Sequence, residues 1–164
     1  MAKAIARFSI FVLGVSIAAA LASVPFLKSL NVVQDKMQVK VRDQLIVADV
    51  AEDDAARAKG LGGRASIGVN DGMLFLFDTP GQYPFWMKDM KFAIDIVWIA
   101  EDDTIAGFVE SVAPQTGASD AELAIYTPPV PVSRVLELKA GRVKLLRAAV
   151  GDTVNIRPLV EQAD

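Results

Sequence analysis

Cysteine and histidine are both absent from this chain of 164 residues. Without them there is no Ser-His-Asp triad, no thiol nucleophile, no imidazole base and no thiolate or imidazole metal site. Disulfides are excluded too, so the chain folds on its core alone. A basic surplus is also missing. The formal net charge is -3, which argues against a nucleic-acid binder held by phosphate contacts. The glycines at 60–63 read GLGG, which is neither a dinucleotide fingerprint nor a phosphate loop, so no nucleotide cofactor is indicated.

What is present begins with an uncharged run. Lys3 and Arg7 precede FSIFVLGVSIAAALASVPFL, residues 8–27, which carries no charge. A basic start, an apolar stretch and small residues near Ala20-Leu21-Ala22 describe a secretory signal peptide, cut after Ala22. The same run is also about as long as the ~20 residues that span a bilayer. Both readings, cleaved signal and retained N-terminal apolar helix, place the remainder outside the cytoplasmic membrane. The expected organisation is a leader over 1–27, a linker over 28–37, a globular domain over 38–158 and a tail over 159–164.

Within the globular part, QVKV at 38–41 alternates and LIVADV at 45–50 follows a turn, which predicts a hairpin or two short strands. Glu52-Asp53-Asp54 suits the first turn of a helix that stops at the glycines 60–63. MLFLF (73–77) is a buried strand after the Asn70-Asp71-Gly72 turn, and Asp78-Thr79-Pro80-Gly81 should break it. FAIDIVWIA (92–100) and IAGFVESVA (105–113) form a hairpin across Glu101-Asp102-Asp103-Thr104. VSRVLEL (132–138) is strand-like, AGRVKLLRAAV (140–150) suits a helix ended by Gly151, and 152–156 closes with a strand. The fold class is α+β, mainly β: about seven short strands with two short helices in a barrel-like single domain, since closure removes exposed edges.

The unusual segment is QYPFWMKDM (82–90), which crowds Tyr83, Phe85, Trp86, Met87 and Met90 around Lys88 and Asp89. Phe85 suits a plug at one end of a barrel, whereas Trp86 could stack on a ligand. Two acids stand out. Asp95 sits between apolar neighbours and needs a partner, with Lys88 or Arg64 as the expected cation. Glu137, in VLEL, is placed outward in water by simple alternation. If the two converged, a two-carboxylate hydrolase or lyase site would follow, with Lys88 or Arg64 stabilising charge. Met73, Met87 and Met90 are soft ligands, but core filling is the usual use of methionine, so no metal is assigned.

GLGGRASIGVNDGMLFLF, PFWMKDMKFAIDIVWI, VSRVLEL with Ala140-Gly141 behind it, and Gly151-Asp152 together resemble the prokaryotic family called domain of unknown function 192. The likeness runs over about residues 40–157. It implies a compact barrel-like domain, often behind a signal peptide or anchor, with no established activity. Its characteristic polar and aromatic residues fall on Arg64, Trp86, Lys88, Asp95 and Glu137. The chain departs from the pattern at Asp89 and Met90, where Asn and Thr are usual, and at Asp103, where Gly is common. An amide-donor role at 89 is thereby put in doubt. The leading expectation is an exported domain that binds a small polar ligand or an envelope protein near Trp86, Lys88 and Asp95, with Arg64 and Glu137 close by. No cofactor is expected. A hydrolase using Asp95 and Glu137, or a structural envelope module, are the alternatives. A purely structural module predicts Asp95 fully paired and no cavity beside Trp86.

Overall fold

The computed structural model describes residues 31–161. The leader and the last three residues lie outside it, and with them the expectations of a signal peptide or membrane anchor. Among the described residues no helix is long and apolar enough to cross a membrane.

Seven strands form one sheet: β1 (Asn31–Val41), β2 (Gln44–Ala51), β3 (Asp71–Gly81), β4 (Ile94–Ile99), β5 (Ile105–Val112), β6 (Val132–Lys139) and β7 (Val154–Glu161). Two short helices join them, α1 (Asp54–Lys59) and α2 (Arg142–Leu146). The strand order is β5-β4-β6-β3-β2-β1-β7. Thus the mainly β reading with seven strands and two helices holds, but closure does not. The outer strands β5 and β7 share no ladder. They approach only at the Thr104–Thr153 bridge, where the Ile105 N–H donates to the Asp152 carbonyl at 2.9 Å. Helix α2 packs instead against β4 and β6 and adds Val143 and Leu146 to the core on that face.

Strand β1 begins at Asn31, inside the stretch read as a linker, because its start pairs with the end of β7 (Asn31 opposite Glu161). That pairing likewise draws the first residues of the expected tail into β7. Asp78-Thr79-Pro80-Gly81 remains within β3, and the ladder to β6 shifts register there instead of stopping. Helix α2 ends early, at Arg147, whose φ of 52° is left-handed.

The sheet is buried on both faces. On one face Leu74, Val97, Ile99, Leu136 and Leu138 pack with Val39, Ile46 and α2. On the other, Met73, Phe75, Ile96, Trp98 and Val135 are covered by Leu61, Phe85, Met87 and Met90. The covering residues come from two crossovers. β2 and β3 are parallel, and β3 and β4 run parallel on either side of β6, antiparallel to both. Parallel strands cannot be joined by a tight turn. Residues 52–70 and 82–93 therefore travel over the sheet, and both lie on this second face. They are tied to each other where the Gly63 N–H donates to the Asp89 carbonyl at 2.9 Å.

Candidate functional site

Between the two crossovers lies a cavity of about 250 Å³. Its floor is Glu137 of β6, beside Phe75 of β3; α1 and the first glycines wall one side, and Tyr83 to Lys88 the other. In register Glu137 stands opposite Met73 and Ile96, so its strand neighbours offer it no polar group. The expectation of a solvated Glu137 fails: only 4% of it is exposed. Alternation along VLEL was correct in parity, but the crossovers bury the face that alternation assigned to water. Its Oε2 is buried without a hydrogen-bond partner. Burial pushes its carboxyl up to about 8, against the pull of the Arg64 charge. At neutral pH it is therefore mostly a neutral acid, able to donate as well as accept.

The aromatic walls are ordered by specific contacts. Phe85 meets Phe75 edge to face, with ring centroids 4.9 Å apart. It is 7% exposed, buried as expected, but it covers the face of an open sheet and does not plug a barrel end. Phe77 and Tyr83 stack at 3.6 Å and 7°, and Arg57 lies over Phe77 at 5.3 Å. Arg57 also holds α1 to the sheet, since Nη1 donates to the Leu76 carbonyl at 2.9 Å, while Nη2 donates to Asp54 Oδ1 at 2.6 Å within the helix. Trp86, 41% exposed, stands at the mouth. Gly60 makes the floor reachable. A Cβ built there would sit 3.3 Å from Phe75 Cζ and 3.8 Å from Glu137 Oε2, and its φ of 49° is one that other residues resist.

Of the five residues singled out in the sequence, Trp86, Lys88 and Glu137 line this cavity, while Arg64 and Asp95 do not. Asp95 is fully buried, but no cation answers it. Its Oδ1 accepts from the Ser111 N–H (2.7 Å) and the Gly141 N–H (3.0 Å), and its Oδ2 from the Val143 N–H (2.8 Å). It thus fastens the start of α2 to β4 and β5. In the β4–β6 ladder Asp95 pairs with Leu138 while Ile96 pairs with Glu137. Successive side chains take opposite faces, so the two acids lie on opposite sides of the sheet. Among the described residues no second carboxyl lines the cavity, and Asp95 and Glu137 do not form the expected two-carboxylate arrangement.

The expected cations are engaged elsewhere. Lys88 bonds Asp120 at 2.5 Å, which raises its pKa. Arg64 bonds Asp49 at 2.7 Å. Burial would raise the Asp49 carboxyl, but Arg64 and Lys36 together hold it below the usual range. Among the described residues no group of three or more acids could hold a metal ion. Arg57, Gly60, Phe75 and Phe77 are cavity residues that the sequence reading did not single out. The sequence carried no signal for Arg57; Gly60 belongs to the glycine run that ends α1, and Phe75 and Phe77 to the apolar strand MLFLF.

The structural expectation for an inert module is met in half: Asp95 is fully paired, yet a cavity opens beside Trp86. Positions 89 and 103, where the chain departs from the pattern it resembles, both have left-handed backbone, with φ of 56° and 62°. Asn and Gly occupy that region more readily than most residues, which accounts for the usual residues there.

A family model described as DUF192, an uncharacterized ACR, matches residues 37–156. Two solved structures are similar. One is a protein of Sinorhizobium meliloti 1021 described as a candidate transcription regulator, with 30% identity and a TM-score of 0.64, covering 73% of this chain and 91% of its own. The other is a protein of unknown function from Novosphingobium aromaticivorans DSM 12444, with 25% identity and a TM-score of 0.64, covering 73% and 83%. A search of curated proteins finds no match.

Proposed function

Because the chain belongs to the DUF192 family, whose description assigns no activity, we propose its function from the cavity itself: a domain, exported behind residues 1–27, that binds a small molecule. The ligand's apolar body lies between α1 and the Tyr83–Lys88 segment, and a polar group on it meets Glu137. One observation carries the reading. A carboxyl group 4% exposed, with Oε2 unpartnered, forms the floor of an open aromatic-lined cavity. An unsatisfied buried polar atom costs about 1–3 kcal/mol. Trp98 Nε1 and Arg142 Nε are also buried without partners, but of the three residues Glu137 alone borders the cavity, where a ligand can bring the missing partner. Apolar walls with a few placed polar groups are the usual composition of small-molecule sites.

The volume suits a compact ligand better than a protein segment. The transcription-regulator description of the S. meliloti protein finds no support in the mildly acidic charge of this chain. Catalysis by paired carboxylates loses its second acid, since Asp95 is spent on backbone N–H groups.

Native mass spectrometry of the full chain, purified from its own cells, tests the proposal. The wild type should carry a small-molecule adduct that Glu137→Gln and Trp86→Ala each reduce while remaining folded. A wild type that carries none, and whose thermal transition no member of a fragment library moves, would leave an inert module as the reading.

A further inference from the structure

The cavity's polar and aromatic groups define the chemical class of its occupant. Resting on the binding role proposed above, we infer that the site takes a small apolar amine, its ammonium group against Glu137 and its body among Phe75, Phe85 and Trp86. Glu137 Oε2 lacks a donor, and an ammonium group brings three. Aromatic faces are negative and attract cations, most strongly at tryptophan. An anionic ligand would bring no donor and could meet Glu137 only as the acceptor of its acid proton, the case that the carboxylate probe below separates.

The charged and titratable groups facing Glu137 are few. From α1 and the glycine loop come Arg57, Lys59 and Arg64; from the segment after β3 come Tyr83 and Lys88. The adjacent strands contribute Met73, Phe75 and Ile96, and one strand further Asp49 of β2 stands in register with Met73, already paired with Arg64 and Lys36. Arg57, Arg64 and Lys88 are already paired with Asp54, Asp49 and Asp120. Lys59 has no ion pair among the described residues, but it is exposed, where water and salt screen it. Among the described residues that line the cavity, Glu137 is thus the one acid available to a bound cation.

Proton balance follows. The amine arrives protonated and Glu137 arrives mostly protonated, so forming the ammonium–carboxylate pair releases one proton from the Glu137 carboxyl to the buffer. With the free carboxyl titrating at about 8, amine affinity should rise about tenfold per pH unit below that value, level off above it, and fall again once the amine itself deprotonates at about pH 10.

Three probes with the same phenyl body separate the cases: 2-phenylethylamine, 2-phenylethanol and phenylacetate. Each is titrated calorimetrically into the full chain in buffers of different ionisation enthalpy. The amine should bind best and release close to one proton near neutral pH, with release reaching zero at about pH 9 and turning to proton uptake as the amine itself deprotonates. Glu137→Gln should weaken the amine by more than about tenfold and abolish the release. Because the proton count is read on the wild type, the test survives a variant that does not fold. Equal or tighter binding of the alcohol or the acid, or amine binding without proton release, would overturn the amine assignment while leaving the cavity a binding site. No binding of any probe, with the combined Trp86 and Trp98 emission unmoved, would overturn both.

Discussion

Two carboxyl groups with the same local sequence context meet opposite environments. Asp95 and Glu137 each stand between apolar residues in a central strand, and each is buried. Asp95 collects three backbone N–H bonds, whereas Glu137 Oε2 has none. Hydrogen bonds to a charged group contribute about 1.5–3 kcal/mol each, and donors stranded by its removal add a penalty. Asp95→Asn should therefore cost roughly 2–4 kcal/mol in urea unfolding. It should leave amine binding unchanged, because Asp95 faces away from the cavity. Glu137 behaves in the opposite sense. Its carboxyl rises from 4.5 in the unfolded chain to about 8 in the fold, so between those values the folded state binds more protons. Stability is then full below about pH 4.5 and falls as pH rises towards 8, by on the order of 5 kcal/mol in all. Glu137→Gln should remove that slope. Melting curves from pH 5 to pH 9 check it, and parallel slopes for variant and wild type would contradict a buried neutral acid.

Gly60 shows how an element boundary shapes the site. The helix α1 must stop where the chain turns over Phe75, and the stop requires both a positive φ and the absence of a side chain. Gly60→Ala should cost about 1–2 kcal/mol from the backbone alone, and its methyl would crowd Phe75 at the cavity floor. Urea unfolding and adduct retention measured together should both fall; retention equal to wild type would mean the floor is not where the ligand sits. Helix α2 teaches a different lesson. Gly151 looked like its stop signal, but the helix ends at Arg147, because the following turn must bring Gly151 and Asp152 to the start of β5. A tertiary contact outweighed the local preference for glycine at a helix end.

At the scale of the molecule, the strand inventory, the two short helices and the family likeness were legible in the sequence, because hydrophobic period, turn residues and motif order are local properties. Alternation also determined that Glu137 shares a face with Val135 and not with Leu136. Only the tertiary structure decided which faces see water. Two crossovers over one side of the sheet bury Glu137, and the edge strands meet without closing. Asp95 is satisfied by N–H groups 16, 46 and 48 residues away. A sequence specifies that a buried acid needs a partner, but chain topology sets whether that partner is a backbone amide, a cation, or a group that a ligand must bring.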